Sequence, residues 1–97
     1  MSYKIEITPS FDLDLAEMDF ILYEYPQKAG RIIEKIDKAL SMLVEMPKMY
    51  PVYEDFPDFR KIVIEDYLVF YLVNEEKKVI EVHRLIYGKM DFKMQLS

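Results

Sequence analysis

The chain has 97 residues, a net charge of −5 at neutral pH and 52% hydrophobic residues, a composition typical of one folded domain. It contains no cysteine, which excludes a disulfide framework and thiol chemistry. With one histidine and no cysteine it lacks the usual zinc ligands, and we expect no metal site and no cofactor. No apolar run reaches the ~20 residues of a membrane helix, and a cytoplasmic protein that does not bind membranes is expected. The acidic balance disfavours DNA recognition by this chain alone, because nucleic-acid binding depends on many contacts to phosphate.

The first half of the chain predicts a strand followed by two helices. The segment "YKIEIT" alternates apolar and polar residues, as a strand does, and Thr8 and Pro9 are suited to begin a helix. That helix should end before Pro26, which can open the second helix. Each helix carries one apolar stripe, and the link between them is short, so an antiparallel hairpin is expected. The stripes consist of Phe11, Leu15, Met18, Leu22 and Tyr25, and of Ala29, Ile32, Ile33, Ile36, Leu40 and Leu43.

The second half of the chain predicts a loop and three strands. The segment "MPKMYPVYEDFPDF" contains three prolines, a density that neither a helix nor a central strand tolerates. Strands are predicted at 59–65, 67–73 and 79–87, with Glu65-Asp66 as the first tight turn. The order β-α-α-β-β-β with short links predicts an α+β fold: an antiparallel sheet with the N-terminal helical hairpin packed on one face. Residues 1–97 are expected to form a single domain.

Alternation along the three strands predicts two faces of the sheet. The first face should meet the helices, and we expect the second to be more exposed, so its tyrosines either cover a half-buried sheet or meet a ligand. The first face consists of Ile62, Ile64, Leu68, Phe70, Leu72, Ile80, Val82 and Ile86, and the second of Lys61, Val63, Tyr67, Val69, Tyr71, Glu81, His83, Leu85 and Tyr87.

Few residues in the chain are equipped for chemistry. His83 is a candidate general acid or base because its unperturbed pKa of about 6.5 suits that role, although a strand histidine is more often a polar residue on a wet face. Arg84 and Arg60 fall on the apolar parity of their strands. Each must therefore reach out at the end of the sheet or pair with a carboxylate, since an unpaired buried charge is costly.

Four segments together resemble the RelE/ParE superfamily of type II toxins, and the last two are most similar to the ParE branch, often called plasmid stabilisation proteins. The segments are "YKIEITPSFDLDLAEMDFILYEY", "AGRIIEKIDKALSMLVEMP", "FRKIVIEDYLVFYLV" and "VIEVHRLIYGKMDF". The residues that match the ParE-branch pattern are Arg60, Tyr67, Tyr71, Arg84, Gly88, Lys89 and Asp91. Tyr87 stands where histidine is usual in this pattern, and Met90 stands where a second basic residue is usual.

The resemblance implies a growth-inhibiting toxin that a cognate antitoxin neutralises. ParE-like toxins poison DNA gyrase by protein–protein contact and have no hydrolytic site of their own. The residues that the resemblance assigns to binding the target or a phosphate are Arg60, Arg84, Tyr87 and Lys89.

RelE-like toxins instead cleave mRNA on the ribosome, with basic residues and a tyrosine that activate the 2′-hydroxyl and stabilise the transition state. The residues that would carry that chemistry here are Lys61, His83, Arg84, Tyr87 and Lys89. Because two of the expected cations are missing at Leu68 and Met90, the sequence favours the gyrase-directed toxin over the mRNA endoribonuclease. A degenerate family member that only binds its antitoxin is the third possibility.

Overall fold

Six elements follow one another in the predicted order β-α-α-β-β-β in the computed structural model, which describes residues 2–88. The elements are β1 (Lys4–Ile7), α1 (Pro9–Ile21), α2 (Pro26–Leu43), β2 (Arg60–Ile64), β3 (Tyr67–Asn74) and β4 (Val79–Tyr87). The α+β class and the helical hairpin are thereby confirmed. Neither helix is long and apolar enough to span a membrane, as judged over the part of the chain that the structure describes.

Both helices begin where the sequence predicts. The Thr8 hydroxyl accepts a hydrogen bond from the Phe11 amide at 3.3 Å, and Pro9 occupies the first turn of α1. The same hydroxyl donates to the Val82 carbonyl at 3.0 Å, so the start of α1 is fixed against β4. The predicted stripes are buried except at Leu15, which is half-buried, and at Tyr25 and Ile33, which are exposed.

The sheet has four strands in the order β1-β4-β3-β2. The pairs β2–β3 and β3–β4 are antiparallel, as predicted, whereas β1 lies parallel to β4. The sheet is therefore mixed, and the expectation of a wholly antiparallel sheet is wrong for this pair. The physical reason is the helical hairpin between β1 and β2. This long connection carries the chain back before the chain re-enters the sheet, so β1 can join the free edge of β4 in the same direction.

The core has two parts, one on each face of the sheet. The larger part lies between the sheet and the helices, and the smaller part lies on the opposite face under the loop that precedes β2. The strand residues of the larger part are Ile62, Ile64, Tyr67, Val69, Tyr71, Ile80, Val82 and Leu85. The smaller part consists of Leu68, Phe70 and Ile86, with Tyr53 and Phe59 packed against them.

The predicted faces are therefore wrong for β3 and for the end of β4. A two-residue turn places Ile64 opposite Tyr67, so an even-numbered residue of β2 shares its face with an odd-numbered residue of β3. This pairing turns Tyr67, Val69 and Tyr71 toward the helices and Leu68 and Phe70 away from them. A β-bulge in the β3–β4 pairing changes the parity again, so that Val82 and Leu85 both face the helices.

Ion pairs attach the β2–β3 turn to α2. Glu65 adopts a left-handed backbone conformation with φ of 53°, which is uncommon for a non-glycine residue. Its carboxylate accepts hydrogen bonds from Arg31 at 2.7 Å and from Lys35 at 2.9 Å. At the next position, Asp66 pairs with Lys28 at 3.0 Å. The turn is thus anchored by two neighbouring carboxylates and three cations of one helix face.

We expect the stability of the protein to fall as the pH is lowered from 4.5 toward 2, in part because of Glu65. Hydrogen bonds from Arg31 and Lys35 lower the pKa of Glu65 from 4.5 to about 2. A depressed carboxyl pKa stabilises the fold fully above the unfolded value, and this stabilisation is lost as the pH falls through the folded value. Urea unfolding as a function of pH should show a shallower acid slope for Glu65→Gln, whereas Glu34→Gln, at an exposed position on α2, should behave like the wild type. Equal slopes for Glu65→Gln and wild type would refute this role.

The backbone of Gly88 lies very close to the backbone of the β2–β3 turn. Its amide donates to the Asp66 carbonyl at 2.6 Å, and a Cβ atom at this position would lie 2.9 Å from the same oxygen. Its φ is not positive, so the glycine is not required for a left-handed turn. Contact between the end of β4 and the β2–β3 turn is what requires a residue without a side chain here.

Gly88→Ala should lower the free energy of unfolding by about 1–3 kcal/mol, because the new methyl group forces the backbone contact apart. Gly30→Ala is the matched control. A Cβ atom at Gly30 meets nothing within 4 Å, and alanine in a helix is favoured over glycine, so a gain of about 0.5–1 kcal/mol is expected. Chemical denaturation measures both; a neutral or stabilising Gly88→Ala would contradict the close approach.

Candidate functional site

The predicted site residues of the described chain lie in two places, one under the loop and one at a cleft beside α1. Lys61 and His83 lie on the face that is covered by the loop, while Arg84 and Tyr87 line a cleft between α1 and the end of β4. Arg60 forms hydrogen bonds with the loop, and Lys89 lies outside the described residues. The predicted catalytic residues of the described chain thus have different contacts, and their joint role in catalysis stays a prediction.

Lys61 and His83 border the smaller, aromatic part of the core. The Lys61 ammonium lies 5.5 Å from the centre of the Tyr53 ring, a cation–π distance, and the His83 ring meets Phe59 edge-on at 5.5 Å. His83 Nε2 also lies 3.1 Å from Glu81 Oε1, and this hydrogen bond lowers the pKa of the Glu81 carboxyl. Both residues thus have structural contacts that do not depend on a substrate.

Arg60 holds the loop against the sheet. Its guanidinium donates to the Tyr50 carbonyl at 2.7 Å and lies opposite Tyr71 in the β2–β3 pairing. The Tyr71 hydroxyl donates to the Pro47 carbonyl at 2.9 Å, and burial raises the pKa of Tyr71 to about 12. Two side chains of the sheet therefore satisfy two loop carbonyls, which is a structural role for Arg60, a predicted binding residue, and for Tyr71, a residue of the family pattern.

Arg84 is paired with Asp14 of α1. The guanidinium donates to the two carboxylate oxygens at 2.8 and 3.2 Å, and the Leu85 amide donates to the same carboxylate at 2.9 Å. Asp14 thereby also caps an amide on the edge of β4, beyond the end of β1. The sequence allowed a carboxylate partner for Arg84 but did not identify Asp14, which looked like an acidic residue placed near the start of a helix. Its i,i+4 spacing from Met18 of the buried stripe was the available signal.

The cleft that Arg84 and Tyr87 line has a volume of about 410 Å³. Met18, Ile21 and Leu22 form its apolar wall, and its charged residues are Asp14, Glu17, Lys28, Asp66 and Arg84. The cleft is therefore mildly acidic. Such a lining disfavours a phosphate and suits an apolar or cationic group of a protein partner.

Tyr87 is a predicted site residue of the cleft that is partly exposed to solvent. Its side chain is 37% exposed, and its ring packs edge-on against Tyr67 at 5.6 Å. Burial raises the pKa of the neighbouring Tyr67. A tyrosine here can contribute a hydrogen bond and a ring face to a partner. An acid that acts on a phosphate needs a nearby cation to bind that phosphate. Among the described residues of the cleft, the cations are Lys28 and Arg84, and both are paired with carboxylates.

No group of histidine, aspartate or glutamate side chains within residues 2–88 is arranged to hold a metal ion.

The chain is similar to proteins of one known family. A family model described as the ParE toxin of the type II toxin–antitoxin system parDE matches residues 5–92. No curated protein matches the chain. A chain in the structure of the chromosomal ParDE toxin–antitoxin system from P. aeruginosa is similar to this chain, with a TM-score of 0.73 and 16% identity. The match covers 91% of this chain and 98% of the P. aeruginosa chain.

Two further solved structures share the fold. In the RelBE2 toxin–antitoxin complex from Mycobacterium tuberculosis, the matching chain has a TM-score of 0.64 and 16% identity, with 90% of this chain and 99% of that chain covered. The isolated E. coli RelE toxin has a TM-score of 0.67 and 19% identity, with 98% and 94% covered. At identities this low, the structural similarity shows a common fold alone.

Proposed function

Because the chain belongs to the ParE toxin family of type II toxin–antitoxin systems, we propose that it inhibits DNA gyrase by protein–protein contact and cleaves no nucleic acid itself. The observation that supports this proposal is that three of the candidate groups for RNA chemistry within residues 2–88 have partners inside the fold. Arg60 binds loop carbonyls, Arg84 binds Asp14, and His83 contacts Glu81. Electrostatic catalysis of phosphodiester cleavage needs cations directed at the developing charge, and these are directed at the protein.

A cognate antitoxin is the second partner. Two of the three structural neighbours described above come from toxin–antitoxin systems, which supports such a partner for this chain. The end of α2 and the segment after it expose Met42 and Met46, whose side chains suit an adaptable interface. Antitoxin binding in the cytoplasm would then keep the toxin inactive until the antitoxin is lost.

Expression in bacteria separates the proposed activity from its alternatives. Inducing the protein should arrest growth and switch on a DNA-damage reporter while the half-lives of bulk mRNA stay unchanged. Co-expression of the small protein encoded beside it should relieve the arrest and copurify with it. Rapid mRNA decay without the DNA-damage response would instead identify a ribosome-dependent endonuclease, and unimpaired growth at high expression would identify a member that only binds antitoxin.

Tyr87→Phe tests the same distinction at one atom. If the protein acts by contact, the variant retains the ring and its packing on Tyr67, so inhibition should change by less than roughly threefold. If Tyr87 is a general acid or base, loss of the hydroxyl should lower the rate of cleavage by roughly 10²–10⁴. Growth inhibition is compared at equal expression and equal thermal stability. A near-complete loss of toxicity in a folded variant would contradict action by contact alone.

A further inference from the structure

Helix α1 and the turn after it are apolar on the solvent side as well as on the buried side. Phe11, Met18 and Leu22 are buried, but Phe20 and Tyr23 are each 83% exposed. A surface helix that is apolar on both sides usually has a partner on each side. The outer side of α1 therefore lacks its partner within residues 2–88.

These exposed side chains form one surface together with carboxylates. We define the acidic–aromatic face as Leu13, Asp19, Phe20, Tyr23, Glu24 and Tyr25. Leu13 and Phe20 are seven residues apart and thus lie on one side of the helix, and the members from Phe20 onward line a common shallow depression with Ile21. Exposed aromatic clusters of this kind mark interaction sites, and aromatic residues dominate binding energy at interfaces.

The charge of this face restricts its occupant. Residues 9–25 contain five carboxylates and no lysine or arginine. Asp14 is bound by Arg84, whereas Asp19 and Glu24 form no ion pair with any residue of the described chain. A second copy of the face, a nucleic acid or an anionic membrane would be repelled, so the complementary partner is a basic protein surface.

We propose that the acidic–aromatic face docks on the basic DNA-binding surface of the topoisomerase, an inference that rests on the proposed function. An enzyme that binds duplex DNA must present cations to many phosphates. The face offers that surface carboxylates in place of phosphates, and exposed rings against which lysine and arginine side chains can pack. Toxin and DNA accordingly compete for one part of the enzyme.

The test measures how strongly the protein inhibits DNA supercoiling by purified gyrase, for the wild type, three double variants and one single variant. Phe20→Ala/Tyr23→Ala removes the rings, and Asp19→Lys/Glu24→Lys reverses the charge. Val63→Ala, at an exposed apolar position of β2, and Glu34→Lys/Asp37→Lys, with the same charge change on α2, are the matched controls. All substituted side chains are exposed, and circular dichroism and thermal melting verify that each variant is folded.

Both variants of the face should need at least about tenfold more protein for half-inhibition, while both controls stay within about twofold of wild type. Wild-type binding to gyrase should weaken when a short DNA duplex is added. If the wild type inhibits gyrase and the variants of the face inhibit it equally, or if the duplex has no effect on binding, the docking inference is wrong and the proposed function stands. If those variants inhibit normally but no longer bind the antitoxin, the face belongs to the antitoxin and the inference is overturned. A wild type that leaves gyrase unaffected refutes the proposed function and, with it, this inference.

Discussion

Replacing Phe70 by alanine should lower the free energy of unfolding by about 3–5 kcal/mol. Phe70 is fully buried although it points away from the helices. Its ring meets Tyr53 at 5.2 Å and Phe59 at 6.5 Å, both edge-on, so the substitution leaves a cavity beneath the loop and removes two aromatic pairs. The loop has little regular structure of its own, and we therefore expect the damage to be concentrated there.

Val63→Ala is the control for the same face of the sheet. Val63 is 65% exposed, so its truncation should cost no more than about 0.5 kcal/mol. Urea denaturation gives both free energies, and proteolysis of the native protein shows whether the loop opens first in Phe70→Ala. A loss below about 1 kcal/mol for Phe70→Ala would mean that the smaller part of the core does not stabilise the protein.

Asp14→Ala should lower the free energy of unfolding by about 2–4 kcal/mol. The variant leaves the Arg84 guanidinium without this carboxylate and the Leu85 amide without its acceptor, at side chains that are 25% exposed for Arg84 and 12% for Asp14. The cost is below that of a fully buried pair because water still reaches the arginine. Arginine stays protonated in proteins even without a carboxylate partner, so the guanidinium of the variant remains charged and must be resolvated.

A double-mutant cycle isolates this interaction. Arg84→Met in the Asp14→Ala background should restore part of the lost stability, since it removes the unpaired charge. Asp14→Asn should be milder than Asp14→Ala because its amide oxygen can still accept the hydrogen bond from Leu85. Additive effects of the two single substitutions in unfolding experiments would show that Asp14 and Arg84 are not coupled.

The element order and both helix starts were predictable from the sequence because they depend on local signals. Thr8 and Pro9 act within one helical turn, and the proline-rich loop excludes regular structure by its own chemistry. The faces of β3 were not predictable by alternation alone, because they depend on how many residues lie in the turn at Glu65 and on the bulge beside Phe70. Either feature exchanges the two faces without changing the apolar pattern.

The contacts of the candidate site residues were harder to predict than the fold, for a related reason. Sequence patterns identified Arg60 and Arg84 as unusual cations but not their partners, which are a loop carbonyl 10 residues away for Arg60 and Asp14, 70 residues away, for Arg84. The acidic–aromatic face escaped notice because an apolar helix residue looks the same whether it faces the core or a partner. Only the packing of α1 on β4 separates the two sides.

The measurement that tests the central claim most directly is a supercoiling assay with purified wild-type protein and gyrase, beside a ribosome-dependent mRNA cleavage assay with the same preparation. Action by contact predicts that supercoiling is inhibited in proportion to the toxin bound and that mRNA on the ribosome stays intact. Cleavage of the mRNA by a preparation that leaves supercoiling unchanged would contradict the account.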